Sequence, residues 1–167
     1  AQLNTPNRFE KNERVLEHFE GIDELPEWGQ KTEFLEEHPK TVLNRNESPD
    51  LPFVYSLNPY QGCEHGCVYC YARNVHQYWG YSAGLDFEQK IIVKPNASKM
   101  LRKHFENKNY KPESISLSGN TDCYQPAERK LKITRSLLEV FYEYRHPVGI
   151  ITKNNLILRD LDLLSEM

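Results

Sequence analysis

Three cysteines fall within eight residues, in the run Cys63-Glu64-His65-Gly66-Cys67-Val68-Tyr69-Cys70. Thiolates are soft ligands, and three at these spacings can converge on one metal centre if the loop wraps around it. Gly62 and Gly66 permit the close turns that wrapping demands. An iron–sulfur cubane held by three protein thiolates keeps one iron without a protein ligand. That open position is what a reactive cluster needs, because a substrate or cofactor can bind there. A cluster that only transfers electrons is normally closed by a fourth cysteine. Two other readings use the same residues: a structural zinc site with His65 or Cys123 as the fourth ligand, and an electron-carrying iron–sulfur site. Zinc modules usually bring their ligands as two separated pairs, whereas these three sit in one loop. His65 is expected to orient the loop or lie at the surface rather than to ligate.

The surrounding elements must position this loop. Phe53–Leu57 reads as a strand, cut off by Asn58-Pro59 and the glycine-containing loop. Tyr71–Trp79 reads as helical, Glu88–Val93 as a short strand, and Pro95 stands where a helix can begin before Met100, Leu101, His104 and Phe105. Ile115–Ser118 is a second core strand ending at Gly119. Pro126 opens the clearest helix, in which Ile133, Leu137, Val140, Phe141 and Tyr144 recur at helical spacing until Pro147 closes it. Val148–Thr152 makes a third strand, and Leu158, Leu161 and Leu164 give one more amphipathic helix. Strands alternating with helices predict parallel strands joined by crossovers, an α/β sheet or partial barrel.

Charge divides the chain. Residues 1–50 carry six Lys or Arg against twelve Asp or Glu, while the whole chain of 167 residues has a net charge of −3. The first 50 residues are therefore read as an acidic, irregular extension with one short helix around Lys11–Phe19, and residues 51–167 as the folded unit. The near-balance of charge does not favour a strongly basic nucleic-acid protein, because phosphate binding needs a concentrated cationic face. No apolar run approaches the roughly 20 residues needed to span a bilayer, and no charged-then-apolar leader opens the chain. A cytoplasmic protein is the expectation, and in a reducing compartment clustered cysteines do not read as disulfides. The Asn-x-Ser strings at Asn46 and Asn96 then carry no glycan.

The string Asn58-Pro59-Tyr60-Gln61-Gly62-Cys63, continuing through Cys67, Tyr69 and Cys70, resembles the cluster loop of radical S-adenosylmethionine (SAM) enzymes, whose CxxxCxxC signature places an aromatic residue before the last cysteine. Cys70-Tyr71-Ala72-Arg73 and the run from Ser118 to Pro126 resemble, more narrowly, the branch related to spore photoproduct lyase. The likeness covers residues 42–167. It implies that Cys63, Cys67 and Cys70 hold a [4Fe–4S] cluster, that S-adenosyl-L-methionine chelates the fourth iron, and that a one-electron reductant of flavodoxin or ferredoxin type drives cleavage to a 5′-deoxyadenosyl radical that takes hydrogen from a substrate. The protein's task is then placement, exclusion of water and control of the radical.

The resemblance assigns further positions one by one. Gly119, Asn120, Thr121 and Asp122 follow the second core strand, where the family places a loop at the amino end of the cofactor; Thr121 is the better match to a cofactor-contacting hydroxyl. Strand ends are the expected site in parallel α/β architecture. Lys153 matches a partner for the cofactor carboxylate, an interaction a charge-assisted bond would orient. Tyr69 would lie by the adenine edge. Cys123 is the candidate hydrogen donor to a product radical, although the lyases' cysteine falls nearer the position of Gly119. Arg73, Tyr124, Gln125 and Arg129 are candidates to face the same cavity. Radical SAM cores are six-unit partial barrels, and the sequence supplies about the first three strand–helix units. A fragment of such a barrel would expose a strand edge and could be inactive alone. The substrate is not legible, and DNA binding follows only from the family name.

Overall fold

The computed structural model describes residues 3–9 and 31–167. It is an α/β fold in which seven short strands form two mixed sheets. One sheet has the order β2-β3-β6-β7, with β2 at Leu43–Arg45, β3 at Tyr55–Leu57, β6 at Ile115–Leu117 and β7 at Val148–Ile150. Here β3, β6 and β7 are parallel, and β2 pairs antiparallel to β3. The other sheet has the order β1-β5-β4, with β1 at Glu33–Glu36, β5 at Lys90–Val93 and β4 at Tyr60–Gln61. β1 runs parallel to β5, and β4 runs against it.

Parallel neighbours need long crossovers, because a tight turn can only reverse the chain. Between β3 and β6 the crossover carries the cysteine loop, a 3-10 helix at Tyr71–Trp79, α1 (Asp86–Gln89), β5 and α2 (Ala97–Phe105). Between β6 and β7 it carries α3 (Glu128–Leu131) and α4 (Ile133–Glu143). The chain then forms a 3-10 turn at Asn155–Asp160 and α5 at Leu161–Leu164. Helix α2 packs on α4. Their apolar faces close over the parallel sheet, burying Leu57, Leu101, Ile115, Leu117, Leu137 and Phe141 completely. At roughly 1.5–3 kcal/mol per buried aliphatic or aromatic side chain, this layer supplies the main stabilisation. No helix among the described residues is long and apolar enough to cross a membrane.

Several expectations need correction. Within residues 1–50, expected to be irregular, Glu33–Glu36 and Leu43–Arg45 are strands, one in each sheet. Their acidic and polar composition fits edge positions, since each has a single strand neighbour. The helix expected at Lys11–Phe19 lies outside the described residues. The long helix expected from Pro126 is two helices, because Lys132 adopts a left-handed φ of 51° between α3 and α4. The strand expected at Glu88–Val93 begins at Lys90, with α1 occupying the preceding residues. The amphipathic segment around Leu158–Leu164 is a 3-10 turn followed by a single α turn.

The break at Lys132 has a physical use. Glu128 is fully buried, and its carboxylate accepts the Thr134 and Arg135 backbone N–H groups at 2.9 and 3.2 Å, capping the start of α4. It also accepts the Tyr60 hydroxyl and, at 2.8 Å, the Arg159 guanidinium. Asp160, equally buried, accepts Arg159 at 2.8 Å, Arg135 at 3.1 Å and the Tyr124 hydroxyl at 3.1 Å. Burial alone would push the Asp160 carboxyl up, but the hydrogen bonds from Arg159 and Arg135 outweigh it and hold the group below its ordinary range.

Two outcomes follow from these buried groups. Glu128→Ala leaves Arg159 half-paired and α4 uncapped, and should lower the urea-unfolding free energy by about 3–5 kcal/mol. His76, 1% exposed, packs against Tyr81 and Phe87, and neither of its ring nitrogens has a hydrogen-bond partner among the described residues. Burial lowers its imidazole from 6.5 to about 4. The unfolded chain therefore binds a proton in that interval that the folded chain does not. The stability contributed by neutral His76 is complete above its unfolded value and is lost as pH falls toward the folded one, by about 3 kcal/mol in all. Urea midpoints recorded from about pH 7 down to about pH 4.5 should fall less steeply for His76→Phe than for the natural chain.

Candidate functional site

The three cysteines occupy equivalent places on successive turns. Gly66 N–H donates to the Cys63 carbonyl at 3.2 Å, Cys70 N–H to Cys67 at 3.2 Å, and Arg73 N–H to Cys70 at 3.4 Å. Spacings of three and four residues thus place each thiol at the head of a turn. The loop enters through Gly62 at φ 81°, where a Cβ would lie 2.9 Å from the Lys90 carbonyl oxygen. Gly66, at φ 60°, has the Glu88 carboxylate against the same position. Conformation therefore favours glycine at both positions, and at Gly62 the backbone approach requires it as well.

Little apolar packing holds this loop, since its own core consists of Cys63, Ala72 and Phe87 with Cys70 alongside. Hydrogen bonds from two side chains do the holding. Arg73 donates from Nε to the Cys67 carbonyl at 3.0 Å and from Nη2 to the Gly66 carbonyl at 2.9 Å. The same guanidinium reaches the Ala83 and Gly84 carbonyls at 3.3 and 3.0 Å and the Glu88 carboxylate at 2.5 Å. Gln125, fully buried, accepts Glu64 N–H at 3.0 Å and donates to the Gly62 carbonyl at 3.1 Å. Arg73 and Gln125, expected only to face the cavity, brace the loop backbone.

Because β3, β6 and β7 are parallel, their carboxyl ends share one edge of the sheet, and the sequence-selected residues meet there. The Tyr71 hydroxyl donates to the Gly119 carbonyl, joining the cysteine loop to the segment after β6. Asn120 N–H donates to Asn58 Oδ1 at 3.1 Å. The Asp122 carboxylate accepts the Thr152 hydroxyl at 2.6 Å and Lys153 N–H at 3.0 Å, joining the β6 and β7 ends. The Lys153 ammonium contacts Cys67 Sγ, and that contact raises its pKa above the ordinary lysine value. His65 Nδ1 lies 3.6 Å from Cys63 Sγ and 3.6 Å from Asp122 Oδ2, while its Nε2 lies 3.0 Å from Asn154 Nδ2. Since an amide nitrogen can only donate, Nε2 is the acceptor and Nδ1 carries the proton. Burial lowers the His65 pKa, against a smaller upward pull from Asp122. Asn154 was not foreseen; its position as cap of the following 3-10 turn, accepting Leu156 N–H at 3.0 Å, is its only sequence signal.

Other candidates lie elsewhere. The Cys123 thiol is 0% exposed within the main core, and burial raises its pKa far above the ordinary value. The thiol expected to return hydrogen to a product radical is thus enclosed by core side chains. The Tyr124 side chain is likewise interior, and Arg129 is exposed. The Thr121 hydroxyl, buried, donates to the Tyr60 carbonyl at 2.6 Å. Tyr69 is 83% exposed.

Among the described residues no group of three or more His, Cys, Asp or Glu side chains stands in position to hold a single metal ion. Cys63 is buried, which raises its thiol pKa, while Cys67 and Cys70 are partly exposed. The loop thus carries three free thiols, two of them partly exposed, with the Lys153 ammonium against Cys67.

No protein-family model and no solved structure matches the chain. It is similar to the uncharacterized protein Rv2578c of Mycobacterium tuberculosis, 36% identical over 128 residues that make up 76% of this chain and 38% of that protein. It is similar also to the uncharacterized protein MJ0683 of Methanocaldococcus jannaschii, at 31% over 137 residues, 81% of this chain and 48% of that one. The chain spans less than half the length of these relatives.

The bracing makes a specific demand on Arg73. A lysine is a single point donor and cannot bridge four carbonyls and a carboxylate. Arg73→Lys should lower stability by roughly 2–4 kcal/mol, and amide hydrogen exchange of residues 63–70 should accelerate more than that of β6.

Proposed function

We propose that this chain is the cluster-binding part of a radical SAM enzyme, of the branch related to spore photoproduct lyase, built on the first units of a partial barrel. The observation that carries the reading is the meeting of three sequence-distant pieces at one sheet edge: Lys153 on Cys67, Tyr71 on Gly119, and Asp122 on the backbone of Lys153. When bound, a [4Fe–4S] cluster with an open iron would supply the electron that cleaves S-adenosyl-L-methionine to a 5′-deoxyadenosyl radical.

The chain's own residues would hold and orient. Cys63, Cys67 and Cys70 would supply the thiolates. The Lys153 ammonium, kept charged by its surroundings, would take the cofactor carboxylate through a charge-assisted bond. Asp122 fixes where that lysine starts, by accepting its backbone N–H. With the Thr121 hydroxyl engaged inside the fold, contacts to the amino end of the cofactor would fall to Gly119 and Asn120, both tied down by neighbours. The exposed Tyr69 would flank the adenine. Hydrogen abstraction from a substrate is the reaction class, with a flavodoxin- or ferredoxin-type protein as electron source. The substrate walls belong to the whole protein, since the relatives are more than twice as long as the matched segment.

Anaerobic reconstitution with iron and sulfide should give about four irons per chain, and an electron paramagnetic resonance signal of the reduced protein that changes on adding S-adenosylmethionine. Lys153→Ala should keep the signal and weaken the cofactor-induced change by roughly 10–100-fold in cofactor concentration. Stoichiometric zinc with no cluster would overturn the proposal in favour of a structural metal site.

A further inference from the structure

Residues 3–9 are joined to the segment 77–86 by a dense set of polar contacts. Asn4 uses both ends of its amide on Asp86, donating to Oδ1 at 3.1 Å and accepting Asp86 N–H at 2.8 Å. Thr5 and Ser82 exchange two bonds, Thr5 N–H to Ser82 Oγ and Ser82 Oγ–H to the Thr5 carbonyl, both at 2.7 Å. Asn7, buried, donates to the Gln77 carbonyl at 3.1 Å. The Phe9 ring lies 4.9 Å from the Tyr78 ring, with the Arg8 guanidinium 4.8 Å above Phe9.

The closest approach is at Gly84. A Cβ there would lie 2.2 Å from the Leu3 carbonyl oxygen and 2.9 Å from Asn4 Cα. Those obstacles are backbone atoms and cannot swing aside as a flexible side-chain end could. Gly84 is also one of the residues whose carbonyl accepts Arg73, at 3.0 Å, beside the Ala83 carbonyl. The same guanidinium holds the Gly66 and Cys67 carbonyls on its other side.

We infer that residues 3–9 are a strap that positions the cysteine loop: by pressing on Gly84 and tying Ser82 and Asp86, they hold the Ala83 and Gly84 carbonyls where Arg73 needs them, and through Arg73 they fix Gly66 and Cys67. The coupling runs over one continuous run of hydrogen bonds, from Asn4 and Thr5 through the 82–86 turn and the guanidinium to the turn that presents Cys67 and Cys70. The small local apolar core makes the loop dependent on this polar frame, because few dispersion contacts remain to hold it if the frame shifts. The inference rests on the proposed function only for what the loop would hold.

Gly84→Ala in the full chain tests it. Gly84 is not among the positive-φ glycines, so the added methyl acts through the clash with the strap and not through a left-handed backbone. In reduced, metal-free protein, alkylation of Cys67 and Cys70 should speed up by about tenfold or more, and amides of residues 3–9 and 63–70 should lose exchange protection. Protection of β6 and α4 should stay unchanged. Asn4→Ala combined with Asn7→Ala loosens the strap without touching Gly84, and should shift the same amides and thiols in the same direction if Gly84→Ala fails to fold. Loss of strap protection with an unchanged loop would overturn the inference, as would a strap that stays protected in Gly84→Ala. These readouts need no cluster, so the strap can fail while the radical SAM reading stands, and the reverse.

Discussion

A carboxylate with no access to water must find its counter-charges inside the protein, and Glu128 meets that constraint by gathering three other parts of the chain. Its partners are the Tyr60 hydroxyl beside the cysteine loop, the first N–H groups of α4 and the Arg159 guanidinium near the end of the chain. Arg159 and Arg135 then reach a second buried carboxylate, Asp160, which also takes the Tyr124 hydroxyl. Such a network adds little net energy over an apolar core, yet breaking it leaves unpaired buried charge, so it fixes one arrangement at the expense of all others. That arrangement sets the positions of β4, α4 and the 3-10 turn after β7, which together frame the strand ends.

The two halves of the site are held by different physics. The segments after β6 and β7 sit on a closed apolar core in which Leu57, Leu117 and Leu137 leave no exposed surface. The cysteine loop sits on almost none, and takes its shape from Arg73, Gln125 and two glycines. A loop fixed by directional bonds keeps Cys67 and Cys70 partly accessible while its backbone is constrained, a combination that apolar packing would not provide.

Much of this was legible in the sequence. Alternation of apolar runs with helical periodicity gave the parallel strands β3, β6 and β7 and the helices α2 and α4, because those elements bury one regular face and leave a periodic trace. The cysteine spacing pointed to one wrapped loop, and Gly62 and Gly66 to its turns. Less legible were β1 and β2, whose charged, short stretches owe their pairing to β5 and β3 alone. The helix break at Lys132 carried no glycine or proline; it is accompanied by the Glu128 cap on Thr134 and Arg135, a local contact of a carboxylate whose burial and long-range partners only the fold supplies.

What the sequence determined by itself was therefore the chemistry on offer: three thiols at turn spacing, a lysine after a strand, and a polar run after another. Only the tertiary structure decided which of these meet. Parallel pairing of β3, β6 and β7 carried Lys153 to Cys67 across 86 positions of chain, and the same packing drew Cys123 and the Thr121 hydroxyl inward. The reason is that residue type and local period fix what a segment can do and which face it buries. Which side of a strand-end turn faces the core, by contrast, is settled only when the neighbouring elements close over it.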